Sequence, residues 1–246
     1  MYSKFNQNYI CRIESERYQN GQLYARLHLG VYPKNSALTF ANALRRNLLS
    51  DIPALVITDV IFCDLKHEMD VIFGVQETIF DIIENLKKIV FANICNELEF
   101  LVSSSEEISI FLKFRGPGEI KACDLILPSS FFCVTPYQHI ATISYDSEFV
   151  MELKLKLINP NKIKETYINH TNNFSNLEIN DIKKSFKLNY STNPVKKVNY
   201  LIKSLDNFKD LEYIDLELIT DGSVTPKQVL RYSILNLSKF FCHYIF

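Results

Sequence analysis

The sequence lacks most of the features that would announce a chemistry. None of its six cysteines (Cys11, Cys63, Cys95, Cys123, Cys133 and Cys242) stands in a C-x-x-C pair. They are scattered through apolar segments, which suits buried free thiols better than a zinc site or a disulfide framework. No run of residues suits a bilayer. The stretch 125–145 is free of Asp, Glu, Lys and Arg, but it is broken by Pro128 and Pro136 and carries Ser129, Ser130 and Gln138. The N-terminus has neither a signal-peptide core nor a long Arg/Ser-rich leader, so the chain is expected to work where it is made. A basic excess is missing too. There are 27 Lys and Arg against 28 Asp and Glu, a formal net charge of −1, which argues against a body that holds nucleic acid directly.

What is present is ordinary globular composition, with 47% hydrophobic and 22% charged residues over 246 positions. That length suits one large domain or two small ones, and a chain of this size removes roughly 75% of its surface from water. Asn, Lys, Ile, Phe and Tyr are abundant, a bias that suits A+T-rich coding such as that of organelle genomes.

Hydrophobic spacing predicts the elements. Residues 23–33 alternate as a strand. Residues 38–52 read as a helix with Phe40, Ala41, Leu44, Leu48 and Ile52 on one side and Pro53 as its stop. A strand covered on both faces follows at 56–62. A second helix is predicted over 78–95 from Ile79, Ile82, Ile83, Leu86, Ile89 and Val90. Residues 97–157 turn to period two, with a turn at Gly116-Pro117-Gly118 and a half-wet strand at 151–157. Residues 159–182 are rich in asparagine, show no period and read as a long loop. Strands resume near 195–203 and 212–220. Thr225-Pro226-Lys227-Gln228 then offers an N-cap, a first-turn proline and a capping-box glutamine. Leu230, Ile234, Leu237 and Phe241 follow at helical spacing. So much apolar surface on this last helix calls for its own core or a second chain. The two ends share one style and the middle has another, as in a domain inserted into a domain.

The candidate sites each carry a bland alternative. Asn42, Arg45, Arg46 and Leu49 share an arc of helix 38–52 opposite its apolar stripe. That arc is a solvated face or a docking surface, since Arg beside Leu on a rigid helix is the composition of interface anchors. The arginines could also bind phosphate, against which the net charge of −1 weighs. His67, Glu68 and Asp70 invite a metal reading, hence a metal-dependent hydrolase, but their alternating directions favour a polar turn. Cys133 with His139, or Cys242 with His243, lacks anything to orient the imidazole as a base. Gly74-Val75-Gln76-Glu77 before helix 78–95 resembles a phosphate-binding start, a weak signal with one glycine, and otherwise reads as a turn in which Glu77 compensates the helix dipole. Lys183–Lys187 with Lys196-Lys197 is the most basic local stretch and reads as solvated or subunit-facing. A stand-alone nucleic-acid-binding dimer is the third class of function open to the residues.

Four stretches in order resemble one family. Thr39-Phe40-Ala41-Asn42-Ala43-Leu44-Arg45-Arg46, running through Leu48-Leu49-Ser50 to Pro53, is similar to the T-L-G-N-A-L-R-R helix of RNA polymerase alpha subunits. His67-Glu68, Gly74-Val75-Gln76-Glu77 and Asn85-Leu86-Lys87 resemble its H-E, G-V-x-E-D and N-L-K elements. Gly116-Pro117-Gly118 with Ala122-Cys123-Asp124 resembles its G-P-G-x-x-x-A-x-D turn. Pro194-Val195 and Thr220-Asp221-Gly222 with Pro226 resemble its S-P-V and T-N-G-x-x-x-P elements. Phe40 and Ala41 depart from the family's Leu-Gly, and Thr78 from its Asp.

The resemblance implies an α+β fold in two domains. A discontinuous dimerisation domain would comprise residues 1–54 and 188–246, with an inserted β-rich domain at 55–187 that includes the Asn-rich loop. It implies a non-catalytic scaffold that homodimerises and docks the beta and beta-prime subunits of a DNA-directed RNA polymerase. Asn42, Arg45, Arg46, Leu49, His67, Glu68 and Lys87 would face those large subunits. Leu44, Leu48, Leu230, Ile234, Leu237 and Phe241 would line the dimer contact. No cofactor is expected on this chain, the catalytic magnesium lying on beta-prime. Neither a membrane nor more than slight direct DNA contact is expected. The chain ends near the end of the family's N-terminal region, so no alpha-mediated contact with upstream promoter DNA is expected. The plastid stroma is the expected compartment, with a bacterial cytoplasm as the alternative.

Overall fold

In the computed structural model the described residues are 10–17, 21–62, 70–94, 107–160, 185–188, 193–205 and 208–242. They form a mixed α/β structure, mostly sheet, with three α-helices among the described residues. The chain divides into two compact units. Unit 1 comprises Met1–Ile52 and Asn193–Phe246, and unit 2 is Pro53–Thr192.

Unit 1 is a four-stranded antiparallel sheet with two helices on one face. Its strands are β1 (Ile10–Arg17), β2 (Leu23–Pro33), β11 (Val195–Leu205) and β12 (Phe208–Thr220), in the order β1-β2-β12-β11. Strict alternation buries Ala25, Leu27 and Leu29 of β2 with Ile214, Leu216 and Leu218 of β12. Over this layer lie α1 (Ser36–Ser50) and α3 (Pro226–Cys242), which also pack on each other. The buried stripe of α1 is Ala37, Ala41, Leu44, Asn47 and Leu48. The helix thus starts two residues before the expected 38–52 and stops two short of it. Asn35 enters it at φ 71 without a side-chain cap, and Asp51 N–H closes it on Asn47 O at 3.0 Å. At the start of α3 the backbone N–H of Thr225 donates to Gln228 Oε1 at 3.0 Å, with Pro226 in the first helical position.

Unit 2 is built on a second antiparallel sheet. Its strands are β3 (Ala54–Phe62), β5 (Ile108–Arg115), β9 (Glu148–Ile158) and β10 (Ser185–Lys187), in the order β10-β3-β9-β5. Two small ribbons join it, β4 (Phe91–Asn93) with β7 (Phe131–Cys133), and β6 (Gly118–Lys121) with β8 (His139–Ile143). One core holds Val60, Phe62, Ile110, Leu112, Met151 and Leu153 together with Ile79, Ile82 and Leu86 of α2 (Ile79–Leu86).

The helix expected over 78–95 is therefore half as long. A capping box starts it, Thr78 Oγ1 accepting from Asp81 N–H while Asp81 Oδ2 accepts from Thr78 N–H. At its other end the backbone leaves the helical ladder for a partner far along the chain. Val90 N–H donates to Thr135 Oγ1 at 3.2 Å, Val134 N–H donates to Val90 O at 2.8 Å, and β4 pairs with β7. Ile89 and Phe91 continue the apolar count but are buried outside the helix, Ile89 just after the turn at 87–88 and Phe91 in β4. β1 has no counterpart among the predicted strands. Of the Asn-rich stretch 159–182, residues 161–182 lie outside the described residues.

Candidate subunit interface

On α1 the face opposite the buried stripe carries Leu38, Asn42, Arg45, Arg46 and Leu49, all exposed. Asn42, Arg45, Arg46 and Leu49 line a concavity of about 520 Å³. Two of its lining residues are tied to the edge strand β11 and to the residues just before it. Tyr200 Oη donates to Asn42 Oδ1 at 2.6 Å, and Asn193 Nδ2 donates to Leu49 O. Among the described residues neither guanidinium has an ion-pair partner. Two charged planar donors beside an aliphatic side chain on a packed helix can seat carboxylates and an apolar side chain together.

On α3 the apolar stripe changes character along its length. Val229, Leu230 and Ser233 are buried in unit 1. Further on, Leu237 is half-buried, whereas Ile234 is 40%, Phe240 58% and Phe241 56% exposed. Leu44 and Leu48, expected at a contact with a second copy, have no exposed surface at all. They pack inside their own unit and can shape such a contact only through the seat they give α1. Between the helices lies a polar pair that the sequence pattern did not single out. Ser233 Oγ donates to Asn47 Oδ1 at 2.8 Å with both residues buried, and Asn47 Nδ2 donates to Asp51 Oδ2 at 3.0 Å.

The far side of the same sheet carries a second unforeseen cluster. Asp215 of β12 is 1% exposed and accepts from Lys203 Nζ at 2.6 Å, from Arg26 Nη2 at 3.4 Å and from His28 Nδ1. Burial pushes this carboxyl up, but the hydrogen bonds from Lys203 and His28 and their charge outweigh it, leaving the group below its ordinary value.

In unit 2, Lys87 is held by Glu84 at 2.6 Å. His67 and Glu68 lie outside the described residues, and Asp70 is half-buried. Two expectations need correction. Glu77 is not merely dipole compensation. Its carboxylate accepts from Thr142 N–H at 2.7 Å, Thr142 Oγ1 at 2.9 Å and His139 Nε2 at 2.9 Å, clamping the start of α2 to β8. Burial raises the Glu77 pKa, and these bonds together bring it below the usual value. His139 is accordingly oriented, but by Glu77 and not toward a thiol. Burial pushes the Cys133 thiol up, the wrong direction for a nucleophile. Among the described residues no three His, Cys, Asp or Glu side chains are grouped to hold a metal.

The family model for the RNA polymerase Rpb3/RpoA insert domain matches residues 56–192. The chain belongs to the RNA polymerase alpha-subunit family. It is 34% identical over 263 residues to the DNA-directed RNA polymerase subunit alpha of Chlorella vulgaris, covering 95% of this chain and 94% of that one. Against the same subunit of Cyanidium caldarium it is 34% identical over 242 residues, 98% of this chain and 72% of the relative. Against that of Phaseolus angularis it is 34% identical over 235 residues, 95% of this chain and 63% of the relative. The chain is thus an alpha subunit of the plastid and bacterial type, and the match to the insert-domain model falls within unit 2. No helix among the described residues is long and apolar enough to cross a membrane.

Proposed function

We propose that this alpha subunit is a homodimeric, non-catalytic scaffold that seeds a DNA-directed RNA polymerase by docking its beta and beta-prime subunits. Unit 1 is then the dimerisation domain. The observation that carries the reading is the stripe of α3. One continuous apolar face is buried in the subunit's own core through Ser233 and emerges into solvent at Ile234, Phe240 and Phe241. A second copy of the same helix supplies the complementary apolar surface, as the closed symmetry of homodimers requires. Asn42, Arg45, Arg46 and Leu49 form the docking face toward a large subunit, and Lys87 with His67 and Glu68 serves the same role from unit 2. The catalytic magnesium belongs to beta-prime, and this chain holds no cofactor. The compartment is the plastid stroma, in keeping with the algal and plant relatives.

The test is a pair of variants read in two assays. Phe241 is already exposed in one copy, so Phe241→Asp should leave the subunit folded. It should shift light scattering from dimer to monomer, because an intimate dimer buries on the order of 2,000 Å² and an unpaired charge there costs several kcal/mol. Arg45→Ala with Arg46→Ala should keep the dimer but lose capture of co-expressed beta. A wild-type chain that scatters as a monomer at micromolar concentration would refute the dimer, and undiminished capture by the double variant would refute the docking face.

A further inference from the structure

We infer that the docking face of unit 1 continues from α1 onto the start of β11, where Lys196 joins Arg45 and Arg46, and that the partner surface it receives is acidic. This rests on the docking reading above and deepens it.

Two hydrogen bonds join β11 and the residues just before it to the outer side of α1. Tyr200 meets Asn42 and Asn193 meets Leu49, so the strand and the helix run in opposite directions along this seam. Lys196 lies between the two ties. The pairing of β11 with β12 slips between Val195 and Lys197, setting two residues opposite Thr220. A bulge of this kind turns both of its residues toward one side of the sheet. Here that is the side of the buried Thr220, which faces the helices. Val195 fills the core and Lys196 is left exposed beside α1. Asp221 feels the charge of Lys196 without closing an ion pair with it, its Oδ1 accepting instead from the N–H and hydroxyl of Ser223.

Charge counted by unit gives the partner's sign. Unit 1 holds 14 Lys and Arg against 9 Asp and Glu, and unit 2 holds 13 against 19. The near-zero net charge of the chain therefore conceals a basic half and an acidic half. In unit 2 the described cations are largely neutralised, with Lys87, Lys113, Arg115, Lys121, Lys154 and Lys156 in ion pairs. In unit 1 the described ion pairs all converge on one carboxylate, Asp215. Arg45 and Arg46 are left without an ion-pair partner among the described residues, around a concavity with an aliphatic wall at Leu49. Lys196, whose charge the Asp221 carboxylate offsets only in part, carries the positive surface on to β11. A protein surface bearing carboxylates and an apolar side chain complements that arrangement, and opposite charges of this kind mainly accelerate encounter.

The test is the association rate of the intact dimer with the beta subunit, measured at rising ionic strength for the wild type, Lys196→Glu and Lys196→Arg. Lys196→Glu should slow association roughly tenfold at low salt and flatten its salt dependence, while Lys196→Arg matches the wild type. If Arg45→Ala with Arg46→Ala impairs capture but Lys196→Glu does not, the extension onto β11 is overturned and the docking reading stands. If neither variant changes capture, both fall. If Lys196→Glu abolishes retention of duplex DNA by the dimer and leaves beta capture intact, the face belongs to nucleic acid and the acidic protein partner is overturned.

Discussion

Ser233 and Asn47 place two polar side chains where α1 and α3 exclude water, and each satisfies the other. Removing one member of such a pair strands its partner in a dry seam. Ser233→Ala should therefore cost about 1–3 kcal/mol, read as a lower urea midpoint at unchanged slope. Glu77 and Asp215 act through charge. Both carboxyls are held below their ordinary values. A depressed carboxyl contributes stability that is present above its unfolded pKa of about 4 and is lost as the pH falls through its folded value. Asp215→Asn should lower stability near neutrality and make it fall less steeply with acid, which unfolding curves at stepped pH would reveal. These four side chains were poorly legible in the sequence. Asp215 meets Lys203 across the β11–β12 hairpin, but it meets His28 and Arg26 across 187 and 189 residues, and no local spacing encodes those two meetings. Glu77, by contrast, stood in a recognisable element whose role was misjudged, since its partners are set by the ribbon it touches and not by the helix it precedes.

Elements whose signal is local were read well. β2 spans the same residues as the predicted strand, and at the start of α3 Gln228 accepts from Thr225 N–H as its capping-box position predicts. Elements that depend on distant pairing were not. The apolar run after Leu86 satisfies a helical count, yet Val90 accepts from Val134 N–H and Phe91 pairs with Cys133 of β7. Periodicity cannot distinguish these outcomes when the run is short. Gly74 shows how one position can fix a loop. Its φ is +86, and a Cβ there would stand 2.5 Å from Ser147 Oγ. Its carbonyl accepts from Ser144 N–H at 2.8 Å, holding the exposed Phe73 against Tyr145 with ring centroids 6.2 Å apart. Gly74→Ala should destabilise unit 2 by about 1–3 kcal/mol. The change should be visible as a lower melting temperature, and an unchanged one would show that the loop can relax.

At the scale of the whole chain, composition gave one misleading signal. A net charge of −1 reads as electrical indifference, whereas the two units differ in sign. The sum could not show this because the basic unit is assembled from both ends of the sequence. The α+β class and the alpha-subunit family were legible from ordered short motifs, most of which sit at turns, caps and helix faces. The concavity on α1 was legible as one arc of a helix. Its anchoring by Tyr200 and Asn193 was not, because those residues arrive from about 150 positions away.

The bond from Asn193 to the carbonyl of Leu49 has a consequence for the architecture's modularity. It brings the point where the chain leaves unit 1 next to the point where it returns. From the standpoint of unit 1, everything between Ile52 and Asn193 is an excursion that begins and ends at one doorway. Loop closure across a gap this small is inexpensive. Replacing 53–192 by a few glycines and serines should then yield a shortened chain with the circular dichroism of a sheet-and-helix protein and a single cooperative melt. If that chain is unfolded, the doorway is propped open from outside, and the excursion is part of the frame.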